Sequence, residues 1–379
     1  MTELFSSDPD IMRHAIQIAR QGFGTVEPNP MVGAVIVDTH GTLIAEGFHQ
    51  RFGEAHAEVN AIQLAGSATH GADLFVSLEP CSHFGKTPPC VDAVIAAGFR
   101  RVVIGCQDPA PHVAGRGIQK LRDAGICVEV GICEQQAKRL IAPFEMLMLH
   151  KRPWIHAKWA MTIDGRIATH TGHSKWISGT ESRAWVHGLR GRLDAIITGA
   201  GTVRADDPRL TARPNGRRTQ LRVICDSTGE SVTAETNLVR TLNEGPVLVC
   251  VAQRCKVETM ARLQGLGVQT FQTSGPNLTD VVEVVHELGR RNFTNVLLEA
   301  GPGLLGAFFD QGLVDEVHAL LAPKLAGGER AFSPIGGTGL ATIPEVPNLQ
   351  NLRTERHGED LLIEADVSRN ALSADLQQP

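Results

Sequence analysis

Two spacings of apolar residues alternate along this chain. Between Asp8 and Arg20, Ile11, Ala15, Ile16 and Ala19 recur at helical spacing, and Ser7 or Asp8 with Pro9 supplies the start signal, so a helix is predicted there. Val32 to Val37 is a short continuous apolar run, and Asp38-Thr39-His40-Gly41 turns it back into a second strand over Thr42 to Phe48. Helices are then predicted over Ala57 to Leu64, Val91 to Ala97 and Gly115 to Ala124. Strands are predicted between them over Leu74 to Leu78, Arg101 to Gly105 and Cys127 to Gly131. Strands that alternate with helices bury their apolar faces as an α/β layer sandwich.

Glu134 to His150 reads as a helix interrupted at Pro143, and Lys151-Arg152-Pro153 as a hinge. Beyond it a second series begins. Strands are predicted over Trp154 to Met161, Asp194 to Thr198, Leu221 to Cys225, Val247 to Val251, Val268 to Phe271, Val296 to Glu299, Val317 to Leu321 and Leu361 to Ala365. Helical spacing falls over Glu181 to Leu189, Lys256 to Gln264, Leu278 to Arg290 and Leu304 to Gln311. The expected domains are 1–150 and 151–368, with a polar tail over 369–379.

Composition narrows the function classes. A length of 379 residues is long for one core, which favours two domains. A formal net charge of −5 argues against a general polyanion binder, so no nucleic-acid partner is expected. No apolar run is long enough to span a bilayer, and Met1 to Asp10 lacks the apolar core of a signal peptide. A cytoplasmic location without membrane attachment is therefore expected. The eight cysteines are read as free thiols or metal ligands rather than disulfides. Cys106, Cys127, Cys133, Cys225, Cys250 and Cys255 are expected to be mostly small buried hydrophobes. The oligomeric state stays open, a homo-oligomer included.

The chemistry is concentrated between His56 and Cys90. His56-Ala57-Glu58 is followed, after an apolar run, by Pro80-Cys81 and then Cys90. One imidazole and two thiolates give zinc three protein ligands and leave the fourth tetrahedral position open, as catalytic sites do. Glu58 sits where a proton carrier is needed for a zinc-polarised water. Residues i and i+2 of a helix do not share a face, so His56 and Glu58 can converge only where the helix is starting. His-x-Glu followed by Pro-Cys and a second Cys is the pattern of zinc nucleobase deaminases, with one departure: eight residues separate Cys81 from Cys90 instead of two.

That long loop, PCSHFGKTPPC behind HAEVNAI, resembles the deaminase domain of the bifunctional riboflavin-biosynthesis deaminase-reductase family. The resemblance implies a cytidine-deaminase-like fold. It also implies pyrimidinone or ribose-phosphate contacts for Asn29, His49, Lys86 and Asp108. A cation such as Lys86 in the inserted loop suits a phosphate. His83, in the same loop, is not expected to be a fourth ligand. The family often has Asp-Pro-Asn-Pro where this chain reads Asp108-Pro109-Ala110-Pro111, so a side-chain hydrogen bond available to relatives is missing at Ala110.

The second half resembles the reductase partner in the same order. Lys158-Trp159-Ala160-Met161-Thr162-Ile163-Asp164-Gly165 looks like its opening. Ser174-Lys175-Trp176, Thr202 through Arg213, and Glu299-Ala300-Gly301-Pro302-Gly303 follow. The resemblance implies a dihydrofolate-reductase-like α/β domain that uses NADPH. It assigns Ala160, Trp176, Thr202, Asp206, Ser227, Gly301, Pro302 and Gly303 to the cofactor. It assigns Ser174, Arg190, Leu210, Arg213 and Glu299 to the substrate, with further polar roles for Lys158 and Asp164. Guanidinium groups such as Arg190 and Arg213 suit a phosphate.

The function implied is hydrolytic deamination of 2,5-diamino-6-ribosylamino-4(3H)-pyrimidinone 5′-phosphate, then reduction of the ribosyl side chain to ribityl, with Zn2+ and NADPH as cofactors. Two other readings are weighed against it. One is a different zinc deaminase with an unrelated or inactive C-terminal domain, which the reductase-like motifs oppose. The other is a binding protein with dead sites, which the complete set of His56, Cys81, Cys90 and Glu58 opposes.

Overall fold

Two separate sheets organise the chain in a computed structural model that describes residues 4–110, 113–343 and 346–368. The chain divides into two compact units, Met1–Lys151 and Arg152–Pro379. The expected polar tail over 369–379 lies outside the described residues.

The first unit is built on five strands: β1 (Gly33–Val37), β2 (Leu43–Phe48), β3 (Asp73–Leu78), β4 (Arg101–Cys106) and β5 (Cys127–Val130). Their order across the sheet is β2-β1-β3-β4-β5. β1 pairs antiparallel with β2 and β3, whereas β3, β4 and β5 run parallel. β1 and β3 are buried along their whole length, as strands covered on both faces must be. Ile11, Met12, Ala15 and Ile16 of the helix Asp8–Ala19 enter this core, where the predicted helical stripe falls.

The second unit adds β6 (Trp154–Thr162), β7 (Ala195–Gly199), β8 (Leu221–Cys225), β9 (Val247–Val251), β10 (Gln269–Gln272), β11 (Asn295–Leu298), β12 (Glu316–Ala322), β13 (Leu349–His357) and β14 (Asp360–Val367). They form one sheet in the order β10-β9-β8-β7-β11-β6-β12-β14-β13, parallel from β10 to β12 and antiparallel at β14 and β13. From β7 the chain moves outward through β8, β9 and β10, then returns to lay β11 on the other side of β7. That reversal opens a crevice at the carboxyl ends of the strands, where α/β sheets bind ligands.

Three local expectations need correction. The helix Glu134–His150 runs unbroken through Pro143, because its buried face (Ala137, Leu140, Ile141, Met146, Leu147) packs into the unit and offsets one lost backbone bond. The segment expected as a hinge is anchored on its second-unit side: Arg152 is buried, and its guanidinium makes a two-point ion pair with Asp315 at 2.7 and 2.8 Å. Among the cysteines, Cys106, Cys225, Cys250 and Cys255 are buried, but Cys127 lies exposed on the edge strand β5 and Cys133 is half-buried. No described helix is long and apolar enough to cross a membrane.

Candidate active sites

The ligand set of the first unit forms where three chain segments meet. His56 is the N-cap of the helix Ala57–Ala65, with extended backbone (φ −78°, ψ 172°), so its ring leaves in a direction that a helical residue could not take. Glu58 lies in the first turn of that helix and turns inward. Cys81 follows the carboxyl end of β3, and Cys90 opens the helix Cys90–Ala96. His56 Nδ1 lies 3.2 Å from Cys90 Sγ and 3.7 Å from Cys81 Sγ, and the backbone N–H of Cys90 donates to Cys81 Sγ at 3.2 Å. All three ligand atoms fall within 4.8 Å of one another, which is the spacing of donors around a single ion.

Electrostatics agree with a cation in their midst. The hydrogen bond from Cys90, reinforced by His56, holds the Cys81 thiol well below its ordinary value, which favours a thiolate there. Its hydrogen-bonded partner Cys90 is pushed up, because two thiolates cannot sit side by side without a positive charge between them. Glu58 is 3% exposed, and its Oε2 has no hydrogen-bond partner. Burial pushes its carboxyl up to about 7, against the pull of His56. A carboxyl poised near neutrality and free at one oxygen is suited to taking and returning a proton. The donor chemistry and the unpartnered oxygen both fit zinc.

Asn29 and His49 adjoin this centre. Their side chains meet at 3.3 Å, and the His49 ring lies edge-on to His56 with centroids 4.9 Å apart. The other nitrogen of His49 faces the carbonyl of Ala55 at 3.1 Å, and burial lowers its basicity. Lys86 stands over the Phe52 ring at 3.9 Å, which ties the long Cys81–Cys90 loop to the segment after His49. His83 is exposed and outside the ligand cluster.

Asp108 joins the site through a residue that sequence reasoning missed. Buried Glu79 accepts four backbone N–H bonds, from Asp108, Gly115, Gly117 and Ile118, at 2.9 to 3.3 Å. This carboxylate fixes the loop after β4 against Pro80-Cys81. A Cβ at Gly117 would come within 2.2 Å of the Pro80 carbonyl oxygen, so only glycine allows that approach. Ala110 still donates its backbone N–H to Asp108 Oδ1 at 2.8 Å, and the turn survives without an amide side chain. Glu79 carried no readable signal because its partners are backbone groups some thirty residues away.

In the second unit the segments after β7, β8 and β11 line two adjoining cavities of about 800 and 1100 Å³. Lys158, Ala160, Ser174, Thr202, Asp206 and Glu299 line both and form their common wall. Arg190, Leu210 and Arg213 lie on the smaller lobe. Ser227, Gly301, Pro302 and Gly303 lie on the larger. Trp176, grouped above with the cofactor residues, lines the smaller lobe beside Arg183, whose guanidinium stacks 4.7 Å from its ring. Asp164 lines neither lobe. It accepts from Thr162 Oγ1 and from the backbone of Ala326 and Gly327, and so orders the turn beyond β6.

At the common wall Arg190 grips Glu299 through two bonds of 2.7 and 2.9 Å, and Lys158 stands 3.6 Å away. Burial alone would raise the Glu299 carboxyl; Arg190 and then Lys158 outweigh it and hold it at about 2. Burial in turn lowers the Lys158 ammonium. Two cations around one carboxylate leave net positive charge facing the smaller lobe. Its far side is shaped by Asp207 and Leu210, both left-handed (φ 41° and 57°), a conformation costly for side-chain-bearing residues. Asn237 holds Asp207 in place by three hydrogen bonds. On the larger lobe the helix Pro302–Asp310 begins at Gly301, and Gly303 opens on free space, so backbone N–H groups can approach an anion.

Two families of known proteins match separate parts of the chain. Residues 5–106 match the cytidine and deoxycytidylate deaminase zinc-binding region, and residues 153–363 match the RibD C-terminal domain. The riboflavin biosynthesis protein RibD of Actinobacillus pleuropneumoniae is 39% identical over 359 residues, covering 94% of this chain and 95% of its own length. That of Bacillus amyloliquefaciens is 41% identical over 355 residues, covering 93% and 95%. The chain belongs to the RibD family. Solved RibD structures share both units. That of Acinetobacter baumannii superposes with a TM-score of 0.81 at 34% identity, over 96% of this chain and 99% of its own. A Thermotoga maritima diaminohydroxyphosphoribosylaminopyrimidine deaminase/5-amino-6-(5-phosphoribosylamino)uracil reductase also gives 0.81 at 34%, over 95% and 98%. The cytidine-deaminase-like and reductase folds of the RibD family are thus those seen here.

Proposed function

We propose that the chain carries out two consecutive steps of riboflavin synthesis. The first unit hydrolytically deaminates 2,5-diamino-6-ribosylamino-4(3H)-pyrimidinone 5′-phosphate. The second reduces the ribosyl side chain of that product to ribityl with NADPH, giving 5-amino-6-ribitylaminouracil 5′-phosphate. One observation carries the reading: a RibD-family chain holds both a His56, Cys81 and Cys90 set beside a buried Glu58 and a two-lobed cavity with Lys158 on its common wall and Arg190 and Arg213 on the smaller lobe.

Zinc, when bound, supplies Lewis acidity that brings the pKa of a water towards ~7. Glu58 takes the proton at its free oxygen and returns it to the departing amine nitrogen, so the carboxyl ends as it began. Asn29 and His49 hold the pyrimidinone ring beside the ligand set. Lys86 and Asp108 hold the ribose phosphate end.

NADPH, when bound, supplies the hydride. Ala160, Thr202, Asp206, Ser227 and the Gly301-Pro302-Gly303 turn hold it in the larger lobe, and Trp176 approaches it from the smaller one. Ser174, Arg190, Leu210, Arg213 and Glu299 hold the phosphorylated substrate in the smaller one, and Lys158 faces the junction. Asp164 supports the site from behind through the turn it orders. A cytoplasmic enzyme free of nucleic acid, acting alone or as a homo-oligomer, completes the reading, in keeping with the net charge and ordinary cysteine use.

The test is a two-channel assay on the zinc-loaded chain with the phosphorylated diaminopyrimidinone and NADPH. Ammonia release together with loss of NADPH absorbance is expected. Ammonia alone would overturn the reductase half, and neither signal would overturn both. In the same assay Arg213→Ala should raise the reductase KM about tenfold or more, by removing a charge-assisted contact of about 1.5–3 kcal/mol, and leave ammonia release unchanged. An unchanged KM would remove Arg213 from the phosphate site.

A further inference from the structure

Behind the cavity wall, on the face of the second sheet that carries Lys158, three buried side chains that do not line the cavity converge. In the strand register His156 of β6 lies opposite Glu316 of β12, and His318, two residues on, lies opposite Lys158. All three point to one face, since alternate residues of a strand do. All three are buried, at 6%, 4% and 3% exposure. His156 Nδ1 is 3.2 Å from His318 Nε2 and 3.2 Å from Glu316 Oε2, and His318 Nε2 is 3.9 Å from Glu316 Oε1.

The hydrogen atoms can be assigned from the surroundings. His156 Nε2 faces Asn295 Oδ1 at 3.1 Å, and the amide nitrogen of Asn295 is committed to Thr294 Oγ1, so the imidazole donates there. His318 Nδ1 faces Glu364 Oε1 at 2.9 Å and donates to that carboxylate. That leaves His156 Nδ1 and His318 Nε2 as the inward nitrogens, facing each other and the Glu316 carboxylate. Three such donors gathered in one buried space form a set that a cation can satisfy.

We propose that His156, Glu316 and His318 form a second metal site, of the class with two histidines and one carboxylate, for a borderline divalent ion such as Zn2+. Bonds of about 2.0–2.2 Å at near-tetrahedral angles place donor atoms roughly 3.3–3.5 Å apart, close to the two shorter separations here. The outer contacts point the same way. Ligating histidines donate their second nitrogen to a carboxylate or carbonyl, and both rings do so, to Asn295 and Glu364. Glu316 is oriented from outside by Trp154 Nε1 and by Arg353, each at 3.2 Å. Arg353 in turn stands 3.7 Å from Glu364. The ion would pin β6 to β12 one residue pair from Lys158, at the wall of the cavity.

The full chain, stripped with chelator and dialysed, is titrated with Zn2+ alone and, separately, with Co2+ alone. A second equivalent is expected beyond the one held by His56, Cys81 and Cys90, with an upward shift in the Tm of the second unit. Its cobalt spectrum should show ligand-field bands without thiolate charge transfer. His318→Gln and Glu316→Gln should each lose that equivalent and keep the first. Should either variant fail to fold, the Cys81→Ser/Cys90→Ser chain keeps the test open, because it should retain one thiolate-free equivalent. A single equivalent in the unaltered chain would overturn the proposal. So would a second one that persists in both substitutions, or none in the double-serine chain.

Discussion

Glu58→Gln is expected to lower the ammonia-release kcat by ~10³-fold or more while zinc stays at full stoichiometry. Positioned proton transfer contributes about 10²–10⁴-fold, and Glu58 is asked to serve more than one transfer in each turnover. The amide fills the same space, so the helix start, the His56 cap and the two thiols keep their places. It cannot accept a proton at Oε2, the oxygen that is buried and free. The fold should not suffer, because an ionised carboxylate at 3% exposure is a burden that glutamine relieves. The check pairs turnover with metal content and reduction of pre-deaminated substrate. Loss of ammonia release with zinc bound and NADPH oxidation intact is the expected pattern. Near-normal deamination would remove Glu58 from its role, and loss of zinc would turn it into a residue that holds the ligands.

The clustering of His56, Cys81 and Cys90 was legible because its chemistry is local to short motifs and scarce by chance. His56-Ala57-Glu58 and the two cysteines restrict the reading even though the loop between the cysteines is long. The parallel strands were legible for a related reason: β3, β8 and β9 are buried on both faces and are dominated by apolar residues, β9 throughout. β13 was not, since nearly every residue of Leu349–His357 is exposed and the segment shows no alternation to read. The short helix Ala200–Asp206 was hidden by Gly201 and Thr202, poor helix formers that are placed by the cavity they line. Residues that hold the sites from behind were invisible because their partners are distant in sequence: backbone N–H groups for Glu79, and Asp207, thirty residues back, for Asn237.

Arg190→Ala should have the largest effect on the second unit. It removes two charge-assisted bonds from Glu299, a buried carboxylate, and leaves it with Lys158 at 3.6 Å. Breaking a buried pair from one side costs about 3–5 kcal/mol, and the remaining lysine places the expectation near the lower bound, about 3 kcal/mol. The pH dependence has a definite sign. Glu299 titrates at about 2 in the folded chain against an ordinary 4.5, so between those values the unfolded chain binds more protons. The stabilisation is therefore fully present above about 4.5 and is lost as the pH falls through 2. Without Arg190 the folded value rises, so the variant should be most destabilised near neutrality and approach the unaltered chain in acid. Reductase kcat/KM should fall by ~10²-fold or more, since the carboxylate that shapes both lobes loses its fixed position. Deamination should not change. Denaturant melts of the second unit at neutral and acid pH, run beside the two assays, decide the matter. A variant as stable as the parent at neutral pH would show that Lys158 alone holds Glu299. A stability loss that grew towards acid would reverse the assignment of charge at this wall.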